Sequence, residues 1–178
     1  MQNIHLEIGG LSPYYFNRYL EEKPGKGDKA EKEYAMKTVH FQDGALCFPG
    51  IQIKGCIISG IRLAKIKLET SMQRLIDYVN SSVQIWEFVI FKPEMSDKNV
   101  KLVKERTNVE RNKVRLNWYA RISTKWGAEF DLQFPDIVPS AAIVEALKTG
   151  GQFSGIGGRR NWGRGRFEVT TFKESTLS

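Results

Sequence analysis

The sequence predicts an α+β fold, an antiparallel sheet covered on one face by helices, and three observations predict it. Residues 113–122 alternate strictly, with Val114, Leu116, Trp118, Ala120 and Ile122 on one side and Lys113, Arg115, Asn117, Tyr119 and Arg121 on the other. That two-residue period belongs to a strand. Residues 72–79 instead bring Met72, Leu75, Ile76 and Val79 to one face, at the spacing of a helix. Composition completes the case. A chain of 178 residues, 41% hydrophobic and 26% charged, has enough apolar surface for a core, which excludes wholesale disorder. One domain spanning residues 1–178 is expected.

The elements follow in order. Residues 2–8 alternate and stop at Gly9-Gly10, a first strand. Ser12-Pro13 is placed to cap a short aromatic helix through Leu20. Residues 23–29 are rich in Lys and Gly and read as a mobile loop. Residues 40–48 read as a hairpin, because Asp43-Gly44 suits a two-residue turn. Pro49-Gly50 opens a helix over 51–64, and Thr70 or Ser71 caps the next. Residues 83–91, apolar on both faces around Trp86 and Phe88, read as a central strand. After Gly127, Ala128, Phe130, Leu132 and Phe134 alternate with polar residues, so this segment is expected to pair with 113–122 as a hairpin. Pro139 starts a last helix that turns Ile143 and Leu147 inward and ends near Lys148 and Gly150. Phe167, Val169 and Thr171 close the fold as a strand. Without insertions the order is βαββαβ, a ferredoxin-like (RRM-like) sandwich with a C-terminal Gly-rich loop. Its open sheet face is a candidate RNA-binding surface.

Charge points to a polyanion. The net charge is +7, with 13 Lys/Arg against 12 Asp/Glu in residues 1–100 and 14 against 8 in residues 101–178. A basic C-terminal half favours nucleic acid or an anionic membrane surface. No apolar run approaches the ~18 residues of a membrane span, and Met1-Gln2-Asn3 opens no signal-peptide pattern, so a cytoplasmic protein without membrane contact is expected. Cys47 and Cys56, the only cysteines, read as buried free thiols. With His5 and His40 alone beside them, no Cys/His metal site is expected, nor any cofactor.

The strongest local signal is the loop after the last helix. Residues 150–165 hold seven glycines, and Arg159, Arg160, Arg164 and Arg166 stand with no acid among residues 155–166. Glycine lets backbone N–H groups approach an anion. Arginine supplies bidentate phosphate donors, and Trp162 a stacking face. A second basic stretch, residues 98–125, has nine Lys/Arg against Glu105 and Glu110. It either lays Lys113, Arg115, Tyr119 and Arg121 along a nucleic-acid backbone or pairs its bases with Glu129 and Asp131 across the expected hairpin. Catalytic signatures are weak. His40 is the better-placed general base, yet it sits among apolar residues, as a structural histidine does. No catalytic residue is assigned.

Three segments resemble the RAMP superfamily of CRISPR-associated RNA-binding proteins, above all the backbone subunits of type III effector complexes. Phe48-Pro49-Gly50-Ile51-Gln52-Ile53-Lys54-Gly55 is similar to that family's I-P-G-S-S-L-K-G helix start. Thr107-Asn108-Val109-Glu110-Arg111, then Gly127-Ala128-Glu129-Phe130, resembles its T-x-I-D-R and G-T-E-F segments. Gly157-Gly158 through Gly163-Arg164-Gly165-Arg166-Phe167 resembles its terminal Gly-rich loop. The resemblance implies a ferredoxin-like core, binding of guide or target RNA, and assembly with RAMP-like subunits or copies of itself. Lys54, in the first turn of its helix, inherits a phosphate contact, and the helix N-terminus there also attracts anions. The expected RNA-binding set is thus Lys54, Gly155, Gly157, Gly158, Arg159, Arg160, Trp162, Gly163, Arg164, Gly165 and Arg166, with Lys113, Arg115 and Tyr119. Two departures stand out. No Asp occupies Tyr34-Ala35-Met36-Lys37, where cleaving members carry one, so a non-catalytic subunit is expected. The short chain also leaves little room for a thumb-like insertion. The alternatives are a metal-independent endoribonuclease using His40, and a RAMP-mimicking protein-interaction module.

Overall fold

A computed structural model describes the backbone of residues 1–109, 113–123 and 125–176, and the side chains of residues 1–106, 116–123 and 125–174. In chain order the elements are β1 (Gln2–Gly10), β2 (Tyr14–Tyr15), α1 (Asp28–Lys37), β3 (His40–Gln42), β4 (Ala45–Pro49), α2 (Ile51–Ala64) and α3 (Met72–Ser82). There follow β5 (Phe88–Lys92), β6 (Lys101–Val109), β7 (Lys113–Ile122), β8 (Gly127–Phe134), α4 (Ser140–Phe153) and β9 (Phe167–Thr176).

The alternation of β1 buries Ile4, Leu6 and Ile8 on one face, and that apolar row makes it a central strand. β8 and β9 pair antiparallel on its two sides and β5 pairs with β8, giving the order β5-β8-β1-β9. α2 and α3 connect β1 to β5, and α4 connects β8 to β9. This is the expected βαββαβ arrangement, a ferredoxin-like α+β fold. β3 and β4 extend the sheet beyond β5. Their hairpin turns at Asp43-Gly44, and α2 and α3 occupy the expected spans. Ser71 caps α3, its Oγ accepting from Arg74 N at 3.1 Å. Cys47 and Cys56 are free and buried, and burial pushes their thiols up to about 11 and about 12.

The structure corrects several expectations, each for a tertiary reason. Residues 14–15 are a strand, not a helix. The Tyr14 ring is fully buried in edge contact with Phe16, Phe91 and Trp126, and that aromatic cluster outweighs the capping signal. The central strand starts only at Phe88: before it Gln84 makes a single isolated bridge to Gln133 of β8, and Trp86 is 53% exposed, so residues 83–87 lack the continuous partner that a buried strand needs. α4 runs on to Phe153. The loop read at 23–29 gives way at Asp28 to α1, whose one buried residue is Ala35. So sparse an apolar face explains why periodicity missed it.

β7 and β8 do not form a hairpin. β7 pairs along its length with β6, a strand inside the second basic stretch, and its far end pairs with β2. Leu116, on the apolar side of β7, is 49% exposed, whereas β8 buries Ala128, Phe130, Leu132 and Phe134; only β8 suits the central sheet. The β6–β7 hairpin is an insertion between β5 and β8, where the chain length left little room for one. Glu129 and Asp131 accordingly find their partners on β1 and β5. Asp131 Oδ1 lies 2.9 Å from His5 Nδ1, and Glu129 lies 3.3 Å from His5 Nε2 and 3.6 Å from Lys92 Nζ.

Candidate nucleic-acid interface

The Gly/Arg loop is strapped to residues 11–15 by backbone bonds. Gly158 N donates to Tyr15 O at 2.7 Å, Gly165 N to Pro13 O at 2.9 Å, and Leu11 N to Arg166 O at 2.7 Å. Arg166 N donates to Ser12 Oγ at 2.8 Å. Within the loop, Gly155 N donates to Gly150 O and Gly163 N to Arg160 O. These amides are engaged inside the protein, so the glycines serve to shape the loop. Gly165 shows the need most directly: at φ +67 a Cβ would stand 1.8 Å from Ile156 O. At Gly157, φ +80, it would meet the Tyr14 ring at 2.6 Å.

The four arginines divide. Arg159, expected to stand without an acid, has one. Its Nε lies 3.3 Å from Glu105 Oε2 and its Nη2 donates to Arg106 O at 2.8 Å. Its guanidinium stands 4.5 Å from the Tyr119 ring centroid and 4.9 Å from that of Trp162. It is also a non-glycine residue at φ 57, a conformation that costs roughly 1–2 kcal/mol and persists where contacts enforce it. Arg159 therefore staples the loop to the β6–β7 hairpin. Arg160 and Arg166 are exposed, and Trp162 is 54% exposed. Arg164 has a buried Nε with no hydrogen-bond partner among the described residues, and its guanidinium lies 5.7 Å from the Tyr15 ring.

Beneath the staple, Glu105 gathers a network. Tyr15 Oη donates to Glu105, and Arg121 Nη1 donates to Tyr15 Oη at 3.1 Å. Burial, then the bond to Glu105, raises the Tyr15 pKa. From α2, Gln52 accepts from Tyr14 Oη at 3.0 Å and donates to Asn17 Oδ1 at 3.0 Å, so the helix start joins the same region. Lys54 is half-buried in the first turn of α2. Arg160 acts on this helix too, opposing the burial that raises the Cys56 thiol.

Sequence reasoning named the loop, Tyr119 and Lys54 but missed Glu105, Tyr15 and Gln52. Glu105 had a signal, an acid set within a run of bases. Lys113 and Arg115 fall on β7, with side chains outside the described ones; Glu110 and Arg111 lie outside the described residues. His40 lies on β3 with its ring 5.9 Å from Phe88, and burial, then Arg18, lowers its pKa.

The open face of the central sheet has the wrong charge for RNA. His5, Glu7, Glu129 and Asp131 share it, and its groove of about 460 Å³ sets Glu87, Glu94 and Glu129 against Lys92. One group on this face, His5, Glu7 and Glu129, brings potential cation ligands within 4.8 Å of one another. Among the described residues no helix is long and apolar enough to cross a membrane.

No protein-family model and no curated protein matches the sequence. Among solved structures, the chain is similar to one in the type III-B Cmr-beta complex bound to cognate target RNA, with 14% identity and a TM-score of 0.67. The match covers 99% of this chain and 61% of that one, so the chain spans about three fifths of the length of that structural neighbour. The likeness is one of fold.

Proposed function

We propose that residues 1–178 act as one RAMP-like domain, a non-catalytic cytoplasmic protein that grips the phosphate backbone of single-stranded RNA beside other RAMP-like subunits or copies of itself. Arg160, Arg164 and Arg166 supply the phosphate donors, Trp162 a stacking face, and Lys54 a further ammonium. Arg159 holds the loop in place. The observation that carries this reading is the loop's open charge: Arg160 and Arg166 are exposed, and unlike Arg159 neither they nor Arg164 form an ion pair among the described residues, so their guanidinium groups are left for phosphate oxygens. The structural neighbour adds support, since it belongs to a complex bound to target RNA. The test is a salt titration of single-stranded RNA binding. Each lost phosphate contact lowers the log–log slope by about 0.7 for a single strand, so Arg160→Ala with Arg164→Ala is expected to weaken binding and flatten the slope by about 1.4. An unchanged affinity and slope would overturn the proposal.

A further inference from the structure

Beside the loop, α1 and β7 enclose a notch of about 260 Å³ lined by Pro24, Glu31, Tyr34, Asn117, Trp118 and Tyr119. Three of these six are aromatic. Tyr119 joins the notch to the arginine loop, because its ring faces the Arg159 guanidinium, which in turn lies against Trp162. Ammonium groups stand at its rim: Lys32 Nζ lies 4.4 Å and Lys104 Nζ 5.7 Å from the Trp118 ring centroid. Asp28 fixes this corner, accepting from Lys104 at 2.6 Å and from Trp118 Nε1 at 3.3 Å. Glu31 adds a carboxylate with no ion pair among the described residues.

These features suit one ligand chemistry. Aromatic walls take a flat π-face, and stacking a base on an aromatic side chain is worth about 1–3 kcal/mol. A carboxylate offers only acceptors, so it suits a ring edge that carries an amino group. Ammonium groups at the rim suit the phosphate on which such a ring is carried. An aliphatic ligand would leave the Glu31 carboxylate and the Lys32 ammonium without a role.

Resting on the reading that the chain binds single-stranded RNA, we propose that this notch seats one unstacked, amino-bearing base of that strand. Tyr34 stacks on the base, Glu31 accepts from its edge, and Lys32, which stands on the Trp118 ring, meets the adjoining phosphate. The loop then holds the backbone on one side of Tyr119 while the notch holds a base on the other.

Two measurements test the proposal on the full chain. The first is RNA affinity of Tyr34→Ala and Tyr34→Phe across a salt series. Tyr34→Ala is expected to lose about tenfold with an unchanged salt slope, since a stacking contact releases no counterion; Tyr34→Phe is expected to retain affinity. The second uses the wild-type protein and needs no variant to fold. Single-stranded RNA carrying 6-thioguanosine is photo-crosslinked, digested with trypsin and mapped by mass spectrometry. Crosslinks are expected on peptides 33–37 or 116–121, which carry Tyr34 and Asn117-Trp118-Tyr119. Crosslinks confined to peptide 161–164, with Tyr34→Ala binding normally, would overturn the base seat and leave RNA binding standing. Failure of the wild type to bind RNA would overturn both.

Discussion

Arg159 Nε lies 3.3 Å from Glu105 Oε2, and this pair ties the glycine-arginine loop to the β6–β7 hairpin. The same carboxylate accepts from Tyr15, whose backbone carbonyl holds Gly158 N. Loop, hairpin and β2 thus close a circuit around one acid. An ion pair of this kind stabilises chiefly by what its loss would leave behind, a partly buried charge without its partner.

Glu105→Gln is expected to destabilise the protein by about 1–3 kcal/mol, because it removes the charge opposite Arg159 and Arg121 while keeping an acceptor for Tyr15. Arg159→Ala is expected to cost a similar amount. If the two residues act through each other, the double variant loses less than the sum, by about 0.5–3 kcal/mol. Urea denaturation of the four proteins measures this coupling, and strict additivity would remove the staple from the account.

Gly165→Ala tests whether the loop needs its glycines for shape. The added Cβ would stand 1.8 Å from a backbone oxygen at φ +67. The conformation alone costs roughly 1–2 kcal/mol, and the overlap adds to it, so the variant is expected to lose more than about 2 kcal/mol and most of its RNA affinity. Thermal melting reads the first loss and filter binding the second. A variant as stable as the parent would show that the loop yields easily at this position.

The βαββαβ order, the Asp43-Gly44 hairpin, α2 and α3 were legible in the sequence because each rests on local chemistry: a turn dipeptide, a cap, a regular apolar period. What escaped was decided by partners distant in the chain. Nothing near Tyr14 announces the ring of Trp126, and nothing near Lys113 announces that β7 turns to β6 and leaves β8 to β1. The site divided in the same way. The arginines were visible as a cluster, but which of them is paired depended on Glu105, brought to Arg159 by the β6–β7 hairpin. Of the amides that glycine was expected to free, those of Gly158 and Gly165 are engaged by Tyr15 and Pro13 at the other end of the sequence.

Buried acids that keep their protons make stability fall at high pH. Cys47 and Cys56 rise from 9.0 in the unfolded chain to about 11 and about 12 in the fold. Above pH 9 the unfolded state releases these protons while the native state retains them. The unfolded chain then binds fewer protons, and stability declines as pH rises. Their contribution is present in full below pH 9 and is lost through about pH 12. Melting temperatures between pH 7 and 11 are expected to fall above pH 9, and less steeply in Cys56→Ala. An identical pH slope in that variant would exclude Cys56 as a source.

The two faces of the molecule make opposite offers to a polyanion, and the last prediction separates them. In an RRM-type domain the open sheet face would carry the RNA, and here that face holds Glu7, Glu129 and Asp131 around His5. Its bases do not reverse the balance, because Lys92 is paired with Glu129 at 3.6 Å and only Lys173 is added by β9, opposite His5, among the described residues. Like charges at this separation repel a phosphate, weakly in salt but without compensation. Lys92→Ala with Lys173→Ala is therefore expected to change neither RNA affinity nor its salt slope, although it removes the same charge as Arg160→Ala with Arg164→Ala. Equal net charge makes the comparison strict, since any effect of overall charge falls on both variants alike. If the two double variants lose affinity and slope together, binding follows net charge, and the arginine loop has no special claim to the phosphates.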